Sequence, residues 1–334
     1  MSDIFQEVIS IENLFDAWRE FLSGKKKRRD VQEFAIHLED HLFDLRRDLV
    51  RGEWQHGEYT RFTVCDPKPR IIHKAFVRDR IFHHAIVRVI ERSFDQSFIY
   101  DSWSCRRGKG TYHAVMRCHS ELERLNRNNK GGLWVLKCDI RKYFQSIDHD
   151  ILFADLTETI DDQQTLTVLK NIIESFEPGV PLGNLTSQLF ANVYLNEFDH
   201  YVKGQLGAPF YLRYSDDFLI AHPSREWLEQ QIPIMREYLA SKRKLVLHPN
   251  KIVLRPFHHG INWLGYVLSP GYRVMRTKTR RRLWRNLKDR TEEYLRKERD
   301  WESLSSTIAS YDGILRTGWN GTDRRLLDML RRCL

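Results

Sequence analysis

The spacing of apolar residues predicts helices in the first hundred residues and a strand further along. Residues 11–50 carry apolar side chains at helical intervals, interrupted by a basic stretch at residues 25–29. Between residues 77 and 94, apolar pairs recur every four residues, which indicates a strongly amphipathic helix. The period then changes, because residues 133–139 form a short apolar run that ends on a carboxylate. We expect a buried strand there.

The second half of the chain mixes both patterns. Two β-prone runs flank Ser215, Asp216 and Asp217, and they predict a hairpin with acids at its tip. A helix is expected to begin at Thr186 and Ser187. The remaining pattern predicts helices from residue 149 and over residues 228–244, strands at 252–254 and 263–268, and mostly helix over 276–334. This order predicts an α+β fold.

Composition narrows the class of protein. With 334 residues, 41% hydrophobic and 12% aromatic, the chain is expected to be globular. No apolar run reaches the roughly 18 residues of a membrane span, and the first residues lack a signal-peptide pattern, so we expect a cytoplasmic protein that does not enter a membrane. The five cysteines are odd in number and form no C-x-x-C, which argues against a disulfide framework and a zinc knuckle.

The net charge of +9 is concentrated near the end of the chain. Residues 271–300 hold twelve Lys and Arg against five acids, with Trp284 and Tyr294 among them. Such density is typical of a surface that follows a phosphate backbone, and aromatic rings can stack on sugars or bases. A solvated helix face is the alternative.

Acids stand at the ends of two predicted strands, at Asp139 and at the adjacent pair Asp216 and Asp217. Neighbouring carboxylates raise one another's pKa unless a cation compensates. Mg²⁺ prefers hard oxygen ligands and needs only one or two carboxylates, and two such ions stabilise an in-line phosphoryl displacement. If Asp139 and Asp216 lie on neighbouring strands, they could bridge two ions. The alternative is a polar turn and an unrelated surface acid.

The motifs around these acids resemble those of reverse transcriptases. The sequence Tyr-Ser-Asp-Asp at residues 214–217 looks like the Y-x-D-D motif of that family, and residues 137–144 resemble its first catalytic-Asp motif. Further similar segments lie in the same order, at residues 67–72, 76–84, 105–111, 181–188, 248–251 and 261–266. The resemblance spans about residues 60–270. It implies a right-hand polymerase fold with an N-terminal helical extension and fingers over residues 1–130, a palm with an antiparallel sheet and the catalytic acids over 131–270, and a basic helical thumb over 271–334.

One departure from most relatives indicates a subfamily. Gln188 follows Ser187 where retroviral, group II intron and retron enzymes usually have Pro, which resembles the reverse transcriptases of diversity-generating retroelements. That resemblance implies error-prone copying of a template RNA into cDNA, with misincorporation at adenines. It also implies a small basic, oligomeric accessory protein as a partner, besides the template RNA, a DNA or cDNA primer and dNTPs.

The resemblance assigns roles around the acids. Asp139 and Asp216 would hold two Mg²⁺ ions, for which Mn²⁺ can substitute, and Ile140 would offer its backbone carbonyl. Asp217 would support these metal ligands without binding the ions directly. In this scheme the primer 3′-hydroxyl attacks the α-phosphorus of the incoming nucleotide while pyrophosphate leaves.

Other residues are assigned to the nucleotide. Phe144 matches the aromatic residue that excludes a ribose 2′-hydroxyl, and Lys68 and Arg70 match fingers residues that meet the triphosphate. Lys251 would protonate or neutralise the leaving pyrophosphate. Leu182 stands where many relatives have Gln, and an aliphatic side chain cannot hydrogen-bond around the nascent base pair. We therefore hypothesise that Leu182 and Arg70 contribute to low fidelity. Gln188 belongs to the same pocket segment.

Three competing functions remain open. The chain could be a reverse transcriptase of another bacterial lineage, of the antiviral or intron type. It could be a catalytically idle RNA-binding scaffold, although every expected metal ligand is present. A two-metal nuclease is disfavoured, because hydrolysis has no use for Phe144 or for the pocket segment.

Overall fold

The computed structural model describes residues 4–65, 69–129, 132–315 and 325. Its twelve α-helices within these ranges are α1 Ile4–Val8, α2 Ile11–Phe21, α3 Arg29–Ile36, α4 Leu38–Val50, α5 Val77–Ser97, α6 Thr111–Asn128, α7 His149–Thr157, α8 Gln163–Glu174, α9 Leu185–His200, α10 Arg225–Arg243, α11 Thr277–Leu295 and α12 Trp301–Leu315. Its nine strands are β1 Thr60–Val64, β2 Arg70–Lys74, β3 Trp134–Asp139, β4 Phe210–Tyr214, β5 Asp217–His222, β6 Val253–Pro256, β7 Ile261–Trp263, β8 Tyr266–Ser269 and β9 Tyr272–Met275. The predicted α+β class is confirmed.

The longest amphipathic pattern forms the helix that it predicts. In α5 the recurring apolar pairs are buried, including Ile81, Phe82, Ala85 and Ile86. The helical region over residues 11–50 divides into α2, α3 and α4, with residues 25–28 of the basic stretch between the first two helices and Arg29 at the start of α3. Because these stripes bury apolar surface, packing rather than propensity stabilises the helices.

A four-stranded antiparallel sheet carries the acidic residues. Its strand order is β4-β5-β3-β6, so β3 and β5 are the inner strands. In β3 the buried residues Val135, Leu136 and Cys138 include side chains on both faces of the strand, which explains why residues 133–139 appear as an apolar run rather than an alternation. The predicted hairpin of β4 and β5 is confirmed.

The prediction of one strand over residues 263–268 is wrong. Two strands occupy this region, β7 and β8, which pair antiparallel with Trp263 opposite Tyr266. Leu264 and Gly265 between them have φ of +43° and +92°. Two consecutive residues with positive φ form the tight turn that matches the twist of a hairpin, so the chain reverses within what looked like one apolar run.

The chain separates into two compact units, each built from three segments. The first contains residues 1–105, 140–205 and 234–248, and it includes the β1-β2 hairpin and most of the helices. The second contains residues 106–139, 206–233 and 249–334, and it includes the four-stranded sheet and the β7-β8-β9 sheet. The division into fingers, palm and thumb at residues 130 and 270 stays a prediction.

Two further expectations concern membranes and thiols. None of the helices in the described ranges is both long enough and apolar enough to cross a membrane. Of the cysteines in those ranges, Cys65 and Cys105 are exposed, Cys118 and Cys138 are buried, and none of the four forms a disulfide.

Candidate active site

A tight turn holds Asp216 at the end of the β4-β5 hairpin. Tyr214 pairs with Asp217, so Ser215 and Asp216 form a two-residue loop. Ser215 has a φ of +57°, and its carbonyl oxygen accepts a hydrogen bond of 3.2 Å from Nη1 of Arg213. Arg213 is fully buried, so a fixed guanidinium holds the backbone of the loop next to Asp216.

Asp139 lies beside this loop on the neighbouring strand. In the β3-β5 register Asp139 is directly opposite Asp217, and both residues stand at the end of the sheet where the hairpin turns. Lys251 donates from Nζ to Oδ1 of Asp139 over 2.6 Å, and Nζ of Lys137 lies 3.3 Å from Oδ1 of Asp217. The second unit therefore brings together the three predicted catalytic acids and two lysines.

The electrostatics of this cluster favour a cation. Burial, followed by repulsion from Asp217 and Asp139, raises the pKa of Asp216 to about 6. Burial also raises the pKa of Asp217, although Lys137 opposes that shift. Like charges that remain close in a partly buried site destabilise one another until a proton or a metal neutralises them.

The donor set fits a divalent metal ion of the magnesium type. Within the described part of the chain, no group of three or more His, Cys, Asp and Glu side chains is arranged to hold a metal. Mg²⁺ needs fewer protein ligands than that, because one or two carboxylates suffice when water and substrate phosphate complete the octahedron. Asp139 and Asp216 offer two carboxylates, and Ile140 follows Asp139 directly in the chain.

We expect Mg²⁺ to stabilise the protein through these carboxylates. A ligand that binds only the folded state raises its stability by mass action, and each kcal/mol corresponds to about 2–4 °C in Tm for a domain of 150–250 residues. Thermal unfolding at increasing MgCl₂ is expected to show a rise of a few degrees for the wild type. Asp139→Asn should lose most of that rise, whereas the exposed control Asp161→Asn should retain it. An equal rise in all three proteins would refute this site.

The first unit holds most of the residues predicted to meet the nucleotide, whereas Lys251 belongs to the second unit. Ile140 is buried and forms an isolated β-bridge with Leu247. Phe144 is half-buried in a 3₁₀ turn, Tyr143–Ser146, and its carbonyl oxygen accepts a hydrogen bond of 2.8 Å from the backbone N–H of Val180. Arg70 begins β2, is exposed and pairs with Val64. Lys68 lies outside the described residues.

The predicted pocket segment, residues 181–188, turns from a loop into α9. The helix begins at Leu185 with Asn184 as its N-cap, one or two residues before the predicted start at Thr186 and Ser187. The carbonyl oxygen of Leu182 accepts a hydrogen bond of 3.1 Å from the backbone N–H of His73 in β2. Gln188 is half-buried in the first turn of the helix. The segment and the β1-β2 hairpin therefore belong to one connected substructure.

A comparison with known families now decides the class of protein. The profile described as "Reverse transcriptase (RNA-dependent DNA polymerase)" matches residues 65–268, which is well over half of the chain and contains all three acids. The chain belongs to the reverse transcriptase family. This is a family of nucleotidyltransferases, and membership confirms the predicted enzyme class.

Two curated relatives place this reverse transcriptase near bacterial and intron-encoded proteins. Protein YkfC of Escherichia coli is 25% identical over 268 residues, which are 67% of this chain and 70% of YkfC. The group II intron-encoded protein LtrA of Lactococcus lactis is 25% identical over 134 residues, which are 37% of this chain and 21% of LtrA. The chain is thus homologous to group II intron-encoded reverse transcriptases.

A solved structure confirms the predicted right-hand polymerase fold of this reverse transcriptase. Telomerase from Candida albicans, in complex with a fragment of telomeric RNA, superposes with a TM-score of 0.52 over 72% of this chain and 49% of that chain. Its sequence identity of 13% means that the likeness shows the fold alone. The chain spans about a fifth of LtrA and half of this telomerase chain.

Several supporting residues of this reverse transcriptase were missed by the sequence reasoning. One of them is Lys137, which forms an ion pair with Asp217. Lys137 precedes Asp139 by two positions, so strand alternation puts its side chain on the same face as that of Asp139. A lysine beside the acidic cluster could therefore have been anticipated. The hydroxyl of Thr111 lies 2.9 Å from that of Tyr214, which joins the start of α6 to the Y-x-D-D motif. No local pattern indicates this contact, because 103 residues separate its partners.

Proposed function

We propose that the protein is an RNA-directed DNA polymerase that extends a DNA primer on an RNA template with dNTPs. The observation that carries the proposal is the convergence of Asp139, Asp216 and Asp217 at one end of the sheet, with the pKa of Asp216 raised to about 6. Buried carboxylates that repel one another destabilise the fold, so such a cluster is better suited to binding a cation than to stabilising the protein. Template RNA, primer and dNTPs are its proposed partners, and the cytoplasm is its proposed location.

The proposed metal site uses Asp139, Asp216 and the carbonyl of Ile140. Two Mg²⁺ ions, or Mn²⁺ in their place, would supply Lewis-acid stabilisation of the charge on the attacking and leaving oxygens when bound. Asp217, held by Lys137, would add negative charge behind the ligands. These carboxylates would also keep the site anionic until substrate arrives.

The other residues are proposed to handle the nucleotide. The ammonium of Lys251 donates to Asp139, and it would protonate or neutralise the leaving pyrophosphate. Phe144 would exclude a ribose 2′-hydroxyl, while Arg70 and Lys68 would bind the triphosphate. Leu182 and Gln188 would line the pocket for the nascent base pair. The basic thumb helix α11 would follow the phosphates of template and primer.

We further propose that the enzyme serves a diversity-generating retroelement and makes adenine-mutagenic cDNA. Support comes from Ser187 and Gln188 in the pocket segment and from Leu182 in place of the usual Gln. A small basic, oligomeric accessory protein would then be its partner. An intron-type reverse transcriptase is the second candidate, which the homology to LtrA favours.

Sequencing of the cDNA tests these proposals together. The protein, purified with the products of neighbouring genes, is expected to extend a primer on its bound RNA and to misincorporate mainly opposite adenine. Leu182→Gln and Arg70→Ala are expected to lower that error frequency. One hydrogen bond contributes about 1 kcal/mol, so a change of about fivefold is expected from restoring the amide. Faithful cDNA from the wild type would favour the intron-type alternative, and unchanged error spectra in both variants would remove these residues from fidelity.

A further inference from the structure

A tyrosine hydroxyl outside the predicted motifs connects three elements around the pocket segment. Tyr59 stands immediately before β1, and its hydroxyl oxygen accepts a hydrogen bond of 3.2 Å from Nδ2 of Asn184. The same oxygen lies 2.9 Å from Oγ of Ser175 and 3.1 Å from Nε2 of His56. A phenol has one donor and two acceptor positions, so three partners use its whole hydrogen-bonding capacity.

The partners of this hydroxyl stand where elements begin or end. Asn184 is the N-cap of α9 and is only 3% exposed. Ser175 is the C-cap of α8. Burial raises the pKa of Tyr59 to about 12, so the hydroxyl keeps its proton and remains a donor at physiological pH. Tyr59 therefore contacts the residue at which the pocket segment becomes a helix.

The hairpin strand β2 holds the same segment from a second side. His73 donates its backbone N–H to the carbonyl of Leu182, and the ring of His73 lies 4.6 Å from that of Phe176. Gly183 has a φ of +125°, and a Cβ at this position would lie 3.0 Å from Cγ2 of Ile72. The hairpin and residues 182–184 are thus in close contact. Tyr59 connects them, because its backbone continues into β1 and its hydroxyl accepts a hydrogen bond from Asn184.

We propose that Tyr59 is a positioning residue for nucleotide selection. Its hydroxyl holds residues 182–188 in register with the β1-β2 hairpin, so that Leu182, Gln188 and Arg70 are presented together. The inference rests on the proposed polymerase function. If the hydroxyl is lost, only a fraction of molecules keeps the pocket in its competent arrangement, and the apparent affinity for nucleotide falls by that fraction.

The test compares Tyr59→Phe with the matched control Tyr194→Phe. Tyr194 stands on α9, six residues after Gln188, and burial also raises its pKa to about 12. Its hydroxyl donates to the carbonyl of Arg243 over 2.6 Å and accepts from the backbone N–H of Asp148 over 3.2 Å, and both of these partners lie outside the pocket segment. Tyr59→Phe is expected to raise the KM for dNTPs by about 5- to 30-fold with kcat changed less than about twofold. Amide hydrogen exchange in residues 182–188 is expected to accelerate by a similar factor. The control should show neither change.

The outcomes separate this inference from the proposed function. Equal KM values and equal exchange in the two variants would overturn the role of Tyr59. If Tyr59→Phe does not fold, Ser175→Ala removes one partner of the hydroxyl and should shift KM and exchange in the same direction by a smaller factor; no shift would refute the inference. A wild-type chain that fails to extend the primer would overturn the polymerase proposal instead, and exchange in residues 182–188 would still show whether Tyr59 holds the segment.

Discussion

Asp216→Asn is expected to abolish DNA synthesis while making the metal-free protein more stable. Removing one of the two proposed metal-binding carboxylates takes away several kcal/mol of transition-state stabilisation, so the extension rate should fall by about 10³-fold or more. The same change removes a charge that is repelled by Asp217 and Asp139. Loss of activity and gain of stability from a single substitution would distinguish a functional acid from a structural one.

The gain in stability has a defined pH window. The pKa of Asp216 is raised from 3.8 to about 6 in the folded protein, so between these values the folded state holds a proton that the unfolded state has lost. Stability attributable to this group therefore falls as pH rises through the window, and the full cost of about 1–3 kcal/mol is present above pH 6. The Asn side chain avoids that cost.

Chemical denaturation in EDTA at pH 8 and at pH 4 measures the effect. The variant is expected to unfold at higher denaturant concentration than the wild type at pH 8, and at a similar concentration at pH 4. Asp161→Asn should follow the wild type in both activity and stability. A variant that loses stability at pH 8 would show that Asp216 has a structural role and that the raised pKa is not a source of strain.

The elements that the sequence predicts well are those with a clear run or a clear period of buried apolar residues. Helix α5 and the β4-β5 hairpin bury regular sets of apolar side chains, so local periodicity was sufficient. The β1-β2 hairpin was missed because both of its strands are largely exposed and no face is buried. Helix α6 was also missed, since its apolar residues are mixed with many charged ones.

The candidate site shows the same division between local and long-range information. The acids could be located by motif, and their pairing on adjacent strands by the assumption that β3 and β5 are neighbours. The register of these two strands could not be predicted. In the structure it places Asp217, rather than Asp216, directly opposite Asp139. The contacts of Tyr59 with Ser175 and Asn184 span 116 and 125 residues, so periodicity carries no information about them.

Gly179→Ala is expected to be among the most destabilising substitutions near the proposed nucleotide pocket. Gly179 has a φ of +70°, and an added Cβ would lie 2.2 Å from the carbonyl oxygen of Phe144 and 2.7 Å from the carbonyl carbon of Gln145. Both atoms belong to the backbone of a 3₁₀ turn, so no flexible side chain can move aside. Left-handed backbone costs an L-residue about 1–2 kcal/mol, and overpacking adds about 1–3 kcal/mol.

Two glycines of the same unit separate these costs. Gly24 and Gly52 have a φ of +68°, and a Cβ at either position would meet no atom within 4 Å. Gly24→Ala and Gly52→Ala should therefore lose only the stability that the left-handed backbone costs. In urea unfolding, the loss of unfolding free energy in Gly179→Ala should be larger than theirs by about 1–3 kcal/mol. If all three variants lose the same stability, the close approach of residue 179 to Phe144 is not maintained in solution.

The same variant connects stability to substrate choice. Because the backbone N–H of Val180 donates to the carbonyl of Phe144, a shift of this loop displaces the ring proposed to exclude ribonucleotides. Gly179→Ala is expected to lower the preference for dNTPs over rNTPs by about tenfold, within the range that a single steric contact supplies in a pocket. Gly24→Ala should leave that preference unchanged. Competing incorporation of dNTP and rNTP, measured well below the unfolding transition of each variant, would show whether the loop sets the position of Phe144 or only stabilises the fold.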